Sequence, residues 1–178
     1  SKDESAAVAI EIPVSLSLIA SKDYDLALKA SETIYKTDIW QAKSVLISYI
    51  DSIFKDKPPK DFLKQIISTA QVDQENVIRA SIARQIPFIY KSGCIPFDQF
   101  QQFVMSLISD SENCIRIAVA EALGRTPATK SSFDENSLTA LLSDEELEVR
   151  MEALKSVAIS GKAISSAAKN LKVNNFIF

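Results

Sequence analysis

Leu107-Ile108-Ser109-Asp110-Ser111-Glu112 is written a second time, with two changes, as Leu141-Leu142-Ser143-Asp144-Glu145-Glu146. In both copies the Asp is followed by four residues, a β-branched apolar residue and then Arg: Ile115-Arg116 in one, Val149-Arg150 in the other. A third instance lies upstream, Asp73 with Ile78-Arg79, so the phrase recurs after 37 and then 34 residues. Each instance is preceded by one apolar helical stretch and followed by another. A fixed period of this size predicts an all-α fold, an α-solenoid in which each helix pair buries its face only against its neighbours.

Working outward, Phe97, Phe100, Phe103, Val104, Leu107 and Ile108 recur at three- and four-residue steps, the spacing of one helix face, and are expected in the core. Ser109 followed three residues later by Glu112 has the form of a capping box. A second face runs through Ile115, Val119, Ala122 and Leu123 and is expected to stop near Gly124, because Pro127 cannot continue it. The next unit repeats the pattern with Leu138, Leu141 and Leu142, then Val149, Ala153, Leu154 and Val157. One unit earlier, Phe62, Leu63, Ile66, Ile67 and Ala70 precede Ile78, Ile82, Ile86 and Ile89; Pro87 predicts a kink over 83–87.

Upstream the register is preserved if Asp38 opens a turn. Val45, Leu46, Tyr49, Ile50 and Ile53 then form the second helix, with Lys43 where the Arg would stand. Asp23 with Leu28-Lys29 is a looser match that puts Glu32 at a core position. In the Asp38 register, 24–36 is a first helix and 6–20 the second helix of an incomplete unit. At the other end, 163–171 reads as a first helix without its partner, ahead of Phe176-Ile177-Phe178. The expected organisation is one domain, 1–178, of about four repeats, in approximate units 1–20, 23–55, 59–91, 96–126, 133–160 and 161–178. Terminal solenoid units ordinarily carry a polar outer face. The expectation is therefore a part of a longer solenoid, or an end that packs on something.

Composition narrows the function classes. Hydrophobic residues make up 47% and charged residues 24%, the balance of a folded chain, while three Gly and six Pro leave few turn residues for a β-rich fold. A net charge of −3, with no run of Lys, argues against nucleic acid as partner. No apolar stretch is long enough to span a bilayer, and Asp3 and Glu4 replace the basic start of a signal peptide. Cys94 and Cys114 fit neither a redox nor a zinc spacing, so reduced thiols in a cytoplasmic, or also nuclear, protein are expected. Histidine is absent, which removes the commonest general base and metal ligand. Gly93, Gly124 and Gly161 form no phosphate loop. No catalytic residue, cofactor, metal or small-molecule substrate is expected.

These turns resemble those of HEAT repeats, antiparallel helix pairs with an Asp in the turn and an Arg six residues later. The resemblance implies a right-handed superhelix and a structural ladder of Asp73, Asp110 and Asp144 with Arg79, Arg116 and Arg150. Physically, the Asp suits a helix N-terminus, and a neighbouring Arg can hold successive units in register with charge-assisted bonds. Val77-Ile78-Arg79-Ala80-Ser81-Ile82-Ala83-Arg84-Gln85-Ile86-Pro87 is similar to a repeat second helix in the scaffold and regulatory subunits of the phosphatase 2A and 4 group. Importin-like receptors, condensin-type subunits and coat adaptors use the same helix pairs.

By that resemblance, the turns within repeats form a ridge that grips a partner protein. Carried over by position, it runs through Ile39, Trp40, Gln74, Glu75, Ser111, Glu112, Asn113, Glu145 and Glu146. The acidic group Asp144, Glu145, Glu146 and Glu148 opens a helix, where negative charge is favourable in any case. The resemblance implies a non-catalytic scaffold, with a serine/threonine phosphatase catalytic subunit as the partner. The alternative is a transport or adaptor module that binds peptides or cargo on its concave face, around Arg84, Lys91, Glu121 and Lys155. A DNA glycosylase on the same repeats would need a positive groove, which the acidic balance opposes.

Overall fold

A computed structural model describes residues 2–70, 72–127 and 133–160, and the side chains of 11–70, 72–127 and 135–160. The described residues are helical, with no strand among them: α1 (Lys2–Ala20), α2 (Tyr24–Tyr35), α3 (Trp40–Ser48), α4 (Ile50–Ile53), α5 (Lys60–Thr69), α6 (Asn76–Arg84), α7 (Ile86–Ser92), α8 (Phe97–Ile108), α9 (Asn113–Arg125), α10 (Phe133–Leu142) and α11 (Leu147–Ser160). The expected helix at 163–171 lies outside the described residues.

Local chemistry sets the helix ends. Asp23 caps α2 by accepting the Leu26 amide at 3.0 Å. Pro59 and Pro96 stand just before α5 and α8, where a missing N–H costs nothing. Gly93, at φ 56° and ψ 35°, ends α7 in the left-handed region that only glycine enters cheaply. Before α9 the amide of Glu112 is held by Asp110, not by Ser109, which instead follows the last turn of α8. The capping box read over Ser109 and Glu112 is thus replaced by an Asp turn two residues wide, since a carboxylate is the stronger acceptor.

Packing follows a simple order. α1 lies against α3, α3 against α6, α6 against α9, and α9 against α11. α2 packs on α1 and α3, α8 on α9, and α10 on α8 and α11. α5 sets Phe62 edge-on to Tyr35 of α2, with ring centroids 5.4 Å apart. Between these helices sit Leu46, Ile47, Ile50, Leu63, Ile66, Ile78, Ile82, Ile86, Ile89, Leu107 and Ile115, all fully buried. Burying each such side chain stabilises the fold by roughly 1.5–3 kcal/mol.

Two helices break at equivalent places. α6 gives way to α7 at Gln85, two residues before the expected kink-maker Pro87, and α3 gives way to α4 at Tyr49. Buried Gln85 reaches across and donates its Nε2 to the Ser48 carbonyl at 2.9 Å, supplying a partner to a group left spare by the break in α3. The break also corrects a core reading. With the helix interrupted, Tyr49 points outward, 51% exposed, and Ile47 occupies the core in its place. Phe97 is a second correction. It stands at the first turn of α8, 39% exposed, and stacks on Phe100 with Tyr90 alongside while Phe100 and Phe103 are buried. Leu154 is a third, 45% exposed on α11 although it was expected on the core face.

Candidate functional site

The three repeated turns share one construction. The Oδ1 atoms of Asp73, Asp110 and Asp144 accept the amides of Glu75, Glu112 and Glu146 at 3.0, 3.0 and 2.9 Å. Arg79, Arg116 and Arg150 each turn Nη1 back onto the carbonyl of their own Asp, at 2.8, 2.8 and 2.6 Å. The rest of the guanidinium reaches forward. Arg79 gives Nε and Nη2 to Asp110 at 2.9 and 3.1 Å, and Arg116 gives the same atoms to Asp144 at 2.7 and 3.0 Å. Each of these two Arg residues therefore clasps its own turn and forks onto the next one, and one carboxylate serves both an amide and a guanidinium.

The rungs are sheltered: side-chain exposure is 13% and 12% for Arg79 and Asp110, and 8% and 10% for Arg116 and Asp144. Burial pushes both carboxyls up, but the arginine forks, the Glu112 and Glu146 amides and the flanking guanidinium charges outweigh it. Both are held below the ordinary carboxylate value. A carboxyl lowered in the fold stabilises it at every pH above its unfolded value, here 3.8, and that contribution fades as pH falls through the lowered values. Urea transitions between about pH 5 and 2 are expected to show this loss below pH 3.8. A double Asp110→Asn, Asp144→Asn variant, less stable at neutral pH, should show a flatter dependence.

The ladder fixes where the turns lie. Ile39, Trp40, Gln74, Glu75, Ser111, Glu112, Asn113, Glu145 and Glu146 are all exposed, with Ile39 at 48% and Trp40 at 38%. Ile39 precedes the first residue of α3 and Trp40 is that residue. The Asp38 turn differs from the other three, since Lys43 stands at the Arg position and lies 6.0 Å from the centroid of the Tyr35 ring. Glu148 is exposed on the first turn of α11.

The opposite ends of the second helices carry the other expected group. Arg84 and Arg125 flank Glu121 at 3.6 and 3.4 Å, and Lys91 and Lys155 are exposed. Sequence reading missed a shallow cavity of about 280 Å³ beside them, lined by Asp51, Lys55, Pro87, Phe88, Lys91, Arg125 and Pro127. Lys55, Lys91 and Arg125 lie 36 and 34 residues apart, near the repeat spacing but not in the register of the ladder, which places Phe88 opposite Arg125.

Among the described residues no three or more acidic or Cys side chains converge as a metal site, and no helix is long and apolar enough to cross a membrane. Cys94 is buried and Cys114 half-buried, both as free thiols. Comparison of the chain with protein-family models, curated proteins and solved structures finds no match.

Proposed function

We propose that this chain is a HEAT-type α-solenoid, a right-handed superhelix of about four helix-pair repeats, acting as a non-catalytic scaffold. Its partner is another protein, and the reading is a regulatory or scaffold subunit of a serine/threonine protein phosphatase of the 2A or 4 type. It acts in the cytoplasm, also in the nucleus, without a cofactor and without inserting into a membrane. The observation that carries this reading is the ladder: Arg79–Asp110 and Arg116–Asp144 hold successive turns in fixed register while their outward residues stay in solvent. A rigid, regularly spaced exposed edge is what a binding surface needs, because little ordering remains to be done on association. Trp40 supplies an aromatic anchor at one end of that edge, the residue type most enriched where binding energy concentrates.

Capture from cell lysate on the purified chain tests the reading, beside a Trp40→Ala, Glu112→Arg, Glu146→Arg variant of unchanged helicity. A phosphatase catalytic subunit held by the parent and lost by the variant is expected. No phosphatase on the parent, or equal capture by both, overturns it.

The cavity beside Phe88 favours a second reading, an adaptor that takes extended peptides on the face formed by the second helices. Its basic rim, Lys55, Lys91 and Arg125 against the single acid Asp51, would select acidic segments. Lys91→Glu with Arg125→Glu would then abolish capture while the turn variant left it intact.

A further inference from the structure

Three cations border the cavity beside Phe88. Lys55 comes from just past the end of α4, Lys91 from the last turn of α7, and Arg125 is the last residue of α9. Asp51 is the one acid lining the same space. Among the described residues Lys55 and Lys91 make no ion pair, with Asp51 or with any other carboxylate. Arg125 is loosely engaged: its Nη2 lies 3.4 Å from Glu121 and 3.4 Å from the Arg84 carbonyl, and its side chain is 52% exposed. Positive charge at a helix C-terminus is favourable in any case, which accounts for Lys91 and Arg125 singly. It does not account for three cations around one recess with Pro87, Phe88 and Pro127 between them. Like charges around a common cavity repel one another, and one anion held among them relieves every one of those repulsions.

Size, charge and lining define that anion. A volume of about 280 Å³ falls just under the usual range of small-molecule sites, roughly 300–1,000 Å³, and suits one side chain with its neighbour. Three basic residues against one acid leave an excess of two positive charges. A phosphoryl group, at about −1.5 to −2, neutralises that excess, and a lone carboxylate does not. One guanidinium and two ammonium groups also offer donors to all three phosphoryl oxygens. The apolar part of the lining, buried Phe88 with half-buried Pro87 and exposed Pro127, suits an apolar residue next to the phosphorylated one. A polynucleotide fits poorly: Asp51 and Glu121 would face its continuing charge, and Phe88, 8% exposed, is too covered to stack on a base. Three basic residues also fall short of the roughly four to eight that hold a segment to an anionic bilayer. We propose that the cavity beside Phe88 binds a phosphorylated serine or threonine side chain in an extended segment of another protein. This rests on the adaptor reading of that face and is independent of what the turns bind.

Fluorescence anisotropy of the full chain with short labelled peptide mixtures tests it, the flanks randomised and the central residue fixed as phosphoserine, glutamate or serine. The phosphoserine mixture is expected to bind at least about tenfold more tightly than the glutamate mixture, and the serine mixture more weakly still. Lys91→Gln with Arg125→Gln should remove that preference at unchanged helicity, since both side chains are exposed. Lys64→Gln, which takes a charge from exposed α5 surface, should leave it intact. Equal binding of the phosphoserine and glutamate mixtures overturns the proposal and leaves the adaptor reading standing, whereas binding of no mixture overturns both. A loss at Lys64→Gln as large as at the double variant shows unspecific charge attraction and also overturns it. So does tighter binding, lost in the double variant, to phosphatidylserine vesicles or single-stranded DNA than to the phosphoserine mixture.

Discussion

Arg116→Ala is expected to lower the free energy of unfolding by about 3–5 kcal/mol, read from urea transitions at neutral pH. The side chain is 8% exposed and makes four hydrogen bonds in three directions: the Asp144 carboxylate twice, the Asp110 carbonyl at 2.8 Å and the Ser111 carbonyl at 3.1 Å. Truncation leaves a 10%-exposed carboxylate facing the hole, and that uncompensated charge dominates the loss. Total stability of a domain is of order 5–15 kcal/mol, so the effect is a large part of the whole. Arg116→Lys should recover little, because a single ammonium cannot fork onto both Oδ atoms and also reach the turn carbonyls. Arg84 is the control. It pairs with Glu121 at 3.6 Å with both side chains more than 40% exposed, and Arg84→Ala should cost less than about 1 kcal/mol. Equal losses at Arg84 and Arg116 would show that the ladder adds nothing beyond ordinary surface pairing.

The same rungs explain how much of the fold is legible in the sequence. An Asp and an Arg that must meet once per unit leave a period in the sequence, and unbroken helices such as α8 and α9 show their buried faces at three- and four-residue steps. Reading failed where a single helix's pattern depends on something outside it. Tyr49 lies in phase with Leu46 and Ile53, but α3 ends at Ser48, and the partner that makes this break tolerable is Gln85, 37 residues on. Leu154 lies beside buried Ala153 on α11 and in phase with Val157, so its own helix reads it as core, yet it is 45% exposed. The candidate edge was legible as a set of positions, because the Asp turns locate it. Its partner was not, since exposed turn residues carry no period that reports on what they touch.

A second large loss is expected from Gly124→Val, about 3 kcal/mol, which lies at the upper end for overpacking a tight contact. Gly124 sits inside α9, where glycine ordinarily costs about 1 kcal/mol against alanine. The reason for it is α11: a Cβ at this position would meet Ser156 Oγ at 2.8 Å, its Cβ at 2.9 Å and its Cα at 3.0 Å. The first of these atoms could swing aside, but only by giving up the hydrogen bond from Ser156 to the Ala120 carbonyl at 2.7 Å; the last is backbone and cannot. α11 is thus pinned to α9 twice, by the Arg116–Asp144 rung near the helix starts and by this close approach two turns later, about 12 Å along the axis. Gly124→Ala gains helix propensity yet still meets the Ser156 backbone, so a smaller loss is expected, and thermal unfolding of the two variants should rank them Ala above Val. A Gly124→Ala variant more stable than the parent would mean that α11 can shift away from α9 at little cost. The register of the turns at Glu112 and Glu146 would then rest on the rung alone.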